Sequence, residues 1–154
     1  MTDTGAPDQP ARRHRRPDEA SDEAVAAAGK FSEALETIER ARGHLYSFHQ
    51  LTGHADLALD EVVVRLREAG REDLAQRLSR ELIGRNVLPG RWTFQIVEEY
   101  DEGYYAQFHR LNTLLHKELL DGRTHVFEAE MKERRRTHGD PAHRSVPEHE
   151  GPAS

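Results

Sequence analysis

Residues 31–52 read FSEALETIERARGHLYSFHQLT, and their spacing decides the fold class. Phe31, Ala34, Leu35, Ile38, Ala41, Leu45, Phe48 and Thr52 recur at three- and four-residue steps, the period of one buried helix face. Thr52-Gly53 is expected to stop this helix. A second helix is expected from Asp56 as N-cap, with Leu59, Val62, Val63 and Leu66 turned inward and Gly70 at its end. Glu72-Asp73 then places negative charge at the start of a third helix, whose inward residues are Leu74, Ala75, Leu78 and Leu82. The short connection at Gly70 predicts an antiparallel helical hairpin.

After Gly84, the stretch RNVLPGRWT (85–93) is the main loop, with Pro89-Gly90 as its turn. Thr93 is expected to cap a long helix, with Trp92 and Val97 forming a hydrophobic staple. Its inner face would be Val97, Tyr100, Tyr104, Phe108, Leu111, Leu115 and Leu119. Trp92, Phe94 and Ile96 alternate, so a short strand over 92–100 competes with the helix, which is the preferred reading. Residues 124–136 form a last, charged helix, packed through Val126, Phe127 and Met131. The expected architecture is all-α: a small up-down helical bundle of four to five helices.

Composition sets the extent of this bundle. All ten aromatic residues lie between Phe31 and Phe127. Residues 1–22 hold no aromatic and no Val, Leu or Ile, so they read as a disordered mixed-charge tail. Residues 137–154 read the same way, leaving a single helical domain over 23–136. The formal charge is −6, and the core holds 17 basic against 20 acidic residues. That near balance speaks against nucleic acid, which needs a concentrated basic face. The arginine runs at Arg12–Arg16 and Arg134–Arg136 are diluted by acids or sit at a helix end, where cations suit the dipole. The bias towards Arg, Ala, Gly and Pro points to a GC-rich bacterial coding sequence.

Several chemistries drop out. The chain has no Cys, which removes disulfides, thiolate metal sites and a cysteine nucleophile, and fits a cytoplasmic location. No apolar run approaches the roughly 20 residues of a membrane span. Ser32, Ser47 and Ser79 lie in expected helices without a nucleophile-elbow pattern, so no catalytic constellation is recognisable.

Three candidate surfaces remain. The first is a stripe on the long helix: Glu98, Glu102, Tyr105, His109, Asn112 and His116 advance by four and three residues. Glu98, Glu102, His109 and His116 are suitable transition-metal ligands, with His49 opposite them. The Glu-three-before-His order of bundle metal sites is missing, however, and a polar interhelical face explains the same pattern. The second is the series His44, His49, His54, whose five-residue steps scatter the rings around a helix. The third is the loop holding Arg85, Arg91 and Trp92. Arg forks suit carboxylates and phosphates, and Trp anchors interfaces. A structural crossover, with Trp92 plugging the bundle and Arg85 capping carbonyls, is the preferred reading of that loop.

The leading expectation is a protein–protein interaction or regulatory module, with a protein partner or homo-oligomer meeting Arg91, Trp92, Tyr100, Tyr104 and Tyr105. A metal-binding bundle or metal-dependent enzyme is the second expectation. Anion or nucleotide binding at the loop 84–92 is the third. No cofactor is the simplest expectation, with a transition metal as the alternative.

Overall fold

The computed structural model of the protein describes residues 8–147, all of it helices and connections without a strand among those residues. Five α-helices are present among the described residues: α1 (Asp22–Glu68), α2 (Glu72–Glu81), α3 (Thr93–Tyr100), α4 (Ala106–Leu120) and α5 (Val126–Arg135). A π-helical turn, Asp101–Tyr105, joins α3 to α4 without a break. None is long and apolar enough to cross a membrane. The all-α reading therefore holds, and the strand alternative at 92–100 gives way to α3. The nearest thing to strand pairing is one bridge between Leu88 and Arg91 across the Pro89-Gly90 turn.

The expected break at Thr52-Gly53 does not occur, and α1 runs through it for 47 residues. A mid-helix glycine costs only about 1 kcal/mol relative to alanine. Gly53 has no left-handed φ, unlike Gly70, where the chain does turn. There the amide of Arg71 bonds to Leu66 O at 2.8 Å and that of Gly70 to Arg67 O at 2.9 Å, a Schellman ending with Gly70 at φ 73°.

The chain divides into two units. One spans Glu36–Phe108; the other joins the residues before Glu36 to those after Phe108. In the 36–108 unit, α2 folds back along α1 until the amide of Gly84 donates to Asp56 Oδ1 at 2.9 Å. Then α3 and the π turn run antiparallel to α1, touching it at His49, Arg42 and Glu39 in turn. Full apolar burial here is limited to Val63, Ala75 and Val97. Phe48, Val62 and Leu82, expected inward, are exposed. Val62 and Val63 differ by about 100° around the helix, so only one of them can face α2.

In the other unit, Val25 and Ala28 of α1 pack against Leu120 and Val126, with Ala20, Leu115 and Leu119 around them. Leu111, Phe127 and Met131, expected to pack inward, are exposed. Residues 1–7 and 148–154, the outer parts of the expected tails, lie outside the described residues. The inner parts are held by polar contacts. Arg16 grips both oxygens of Glu130 at 2.7 and 2.9 Å, and Thr124 N donates to Arg13 O at 3.0 Å. Arg136 is buried and pairs with Glu133 and Asp8, while Ser145 Oγ donates to Asp8 at 2.7 Å.

Candidate functional site

Loop 84–92 and the adjoining turns of α1 build a concavity. Thr52, Asp56 and Leu59 of α1, Leu82 at the end of α2, Arg85 and Val87 of the loop, and Trp92 line a cavity of about 570 Å³. The size is that of a small-ligand or side-chain pocket. Gly53 adds to the opening, because a Cβ there would meet nothing within 4 Å. Trp92 stays 45% exposed. So two residues singled out from sequence, Arg85 and Trp92, share one site. Arg91 does not join them: its guanidinium is held by Glu99 at 2.8 Å.

The cap at α3 differs from expectation in a way that shapes this cavity. The helix starts at Thr93, with Trp92 as its cap residue, so Trp92 and Val97 are not placed as a staple. Gln95 Oε1 accepts from the Trp92 amide at 2.8 Å. That frees the Thr93 hydroxyl, which shares a 2.7 Å hydrogen bond with His49 Nδ1. Thr93 and His49 thereby pin the start of α3 to α1 at the cavity edge.

Tyr104 and Tyr105 lie on the π turn, and Tyr100 directly precedes it. Tyr100 lies 6.1 Å from Tyr104 and 6.2 Å from Tyr105, ring centre to ring centre. Tyr105 donates its hydroxyl to both oxygens of Glu39, at 2.8 and 2.9 Å. That bond, with partial desolvation and the Glu39 charge, pushes the phenol above its ordinary pKa. Arg42 stands 4.8 Å from the Tyr46 ring centre and 4.9 Å from that of Tyr105, and its fork meets Asp101. Bonding to that fork holds the Asp101 carboxyl below its ordinary range. Asp101, Arg42 and Glu39 carry this cluster, and sequence reading missed all three. Asp101 and Arg42 are 59 residues apart, and no short-range pattern links them.

The π turn interrupts the even helical period on which the expected metal stripe rests. A π turn closes on the fifth residue rather than the fourth and re-phases the helix. Glu98 and Glu102 are exposed, Asp101 takes the place towards α1, and His116 is buried. His49, Glu98 and Glu102 belong to the 36–108 unit, His109 and His116 to the other. Among the described residues no three His, Asp or Glu groups gather where they could hold one metal ion. His49 is committed to Thr93. His116 Nδ1 bonds to Asn112 O at 2.9 Å, and its Nε2 meets Ser32 Oγ at 3.3 Å. Nearby, Asn112 leaves its buried Oδ1 without a partner. His44 and His54 are both exposed on α1.

No family model matches the chain, and no curated protein or solved structure matches it.

Proposed function

We propose that the chain acts by protein–protein contact, with the cavity around Trp92 as its binding surface. The observation that carries this reading is an open, largely apolar concavity walled by Leu59, Leu82, Val87 and a half-exposed Trp92. Partner side chains inserted there would remove from water apolar surface that the chain leaves uncovered. Trp is the residue whose truncation most often costs binding energy at such a contact. Affinity capture with the wild type, Trp92→Ala and Leu57→Glu tests it. Partners lost with Trp92→Ala and kept with Leu57→Glu support the surface; partners kept by all three baits reject it.

A second reading is anion or nucleotide binding at the same loop. It is supported by Arg85, which lines the cavity and makes none of the described ion pairs that occupy Arg42 and Arg91. A thermal-shift panel of inorganic phosphate and nucleotides tests this. Stabilisation that disappears in Arg85→Ala supports it, and a panel with no stabilisation rejects it.

A further inference from the structure

Helix α1 carries two adjacent apolar seams in the 36–108 unit. The inner one, with Leu45, Thr52, Leu59 and Val63, faces the rest of the unit. The outer one is Phe48, Leu51, Ala55, Ala58 and Val62, at steps of three, four, three and four, and all five are exposed. Phe48 is 43%, Leu51 66% and Val62 42% accessible. Three-and-four spacing with no charge in the seam is the pattern of a helix that packs on another helix. Nothing in the unit covers it, and at Ala55 it borders the Trp92 cavity.

Burial argues for the identity of the cover. Three hydrophobic residues of the 36–108 unit are buried, against thirteen large ones that remain exposed. A unit of this size with so little core is marginal on its own, and association is the usual remedy. A cover required for stability has to be present whenever the chain is, which a second copy satisfies.

Side-chain size argues for the direction. With a two-fold axis near Ala55, Phe48 lies opposite Val62 of the partner copy, and Leu51 lies within one residue of the level of its Ala58. The layers on either side then pair a larger with a smaller side chain, and the two small Ala55 residues meet at the axis. A parallel pairing would stack Phe48 on Phe48 and Ala58 on Ala58, leaving uneven layers that pack poorly. The antiparallel overlap covers residues 42–68, about 40 Å of helix. The apolar seam itself, residues 48–62, accounts for about 21 Å of that overlap.

We propose that two copies of this chain pair antiparallel through the outer seam of α1, with the two-fold axis near Ala55. This rests on the reading that the chain works by protein contact, and it names a second copy as one partner. The full chain is tested by light scattering after size exclusion, at micromolar concentration. The expected mass is twice that of the chain for the wild type and for Leu57→Glu, on the far side of α1, and single for Leu51→Glu with its helical circular dichroism retained. The native chain has no cysteine, so engineered ones report direction. Ala55→Cys is expected to form a disulfide dimer on oxidation. Phe48→Cys is expected to link to Val62→Cys in a mixture but not to itself. A monomeric wild type, a monomeric Leu57→Glu, or Phe48→Cys linking to itself overturns the pairing. A monomeric wild type leaves the Trp92 surface standing, since capture through Trp92 needs no second copy.

Discussion

Arg42 on α1 holds Asp101 in the π turn by two parallel hydrogen bonds, Nε to Oδ1 at 2.7 Å and Nη2 to Oδ2 at 2.9 Å. Both side chains are less than a third exposed. Such a fork depends on the planar guanidinium, which Lys cannot reproduce, and Lys would also lose the stacking on Tyr46 and Tyr105. Arg42→Lys is therefore expected to lower the melting temperature nearly as much as Arg42→Ala. The Arg42→Ala/Asp101→Asn double variant should melt close to either single one, because both remove the same contact. Additive losses in that thermal cycle would mean the pair is not coupled.

The same pair predicts an acid-sensitive term in stability. Arg42 depresses the folded-state pKa of Asp101, so the folded state binds fewer protons than the unfolded one as the carboxyl begins to titrate. The contribution is complete above the ordinary carboxylate value of 3.8 and is lost as the pH falls below it through the lowered folded value. Melting curves between neutral pH and acid should show the wild type losing more stability than Asp101→Asn. Parallel curves for the two would dismiss the term.

How far the sequence carried this reading depends on the range of the interaction. The periodicity of 31–52 made α1 legible, and Gly70 marked the α1–α2 turn, because helices and their ends are set by neighbours within about four residues. Gly53 misled for the same reason. A local breaker signal cannot reveal that the flanking turns outweigh a cost of about 1 kcal/mol. The loop site was half legible: Arg85 and Trp92 stand together in sequence, but the α1 wall of their cavity lies some thirty residues earlier. The π turn was hidden, since its geometry follows from tertiary contacts such as Arg42–Asp101 and Glu39–Tyr105. The polar stripe rests on an even 3.6-residue period, which the π turn over Asp101–Tyr105 interrupts.

Leu120 is 1% exposed and packs with Val25, Ala28 and Val126. Leu120→Ala should cost about 2–5 kcal/mol in denaturant unfolding, the loss of transfer energy plus a cavity. Leu114, on the same helix but 51% exposed, should cost clearly less on the same change. Equal costs would show that Leu120 is not the centre of that core.

Thr93 tests the pin at the edge of the cavity. Its hydroxyl, 2.7 Å from His49 Nδ1, is buried with the residue only 8% exposed. Thr93→Val keeps the shape and removes the bond, leaving His49 Nδ1 without its partner, at a cost of about 1–3 kcal/mol. Thr93→Ser keeps the hydroxyl and should retain most of that stability. If valine and serine variants unfold alike, the hydroxyl is not what fixes α3 to α1.

Two glycines give opposite signs for one substitution. Gly53 sits inside α1 with ordinary helical backbone, and a Cβ there meets nothing within 4 Å. Gly53→Ala should stabilise the chain by about 1 kcal/mol through helix propensity alone. Gly70 also has open space around a Cβ, but its φ of 73° is left-handed, and alanine there costs roughly 1–2 kcal/mol. Space is equal at the two sites, so the difference isolates backbone conformation. Denaturant unfolding of both variants decides it: a destabilised Gly53→Ala would mean that α1 is broken at Thr52-Gly53 in solution, restoring two shorter helices in place of one.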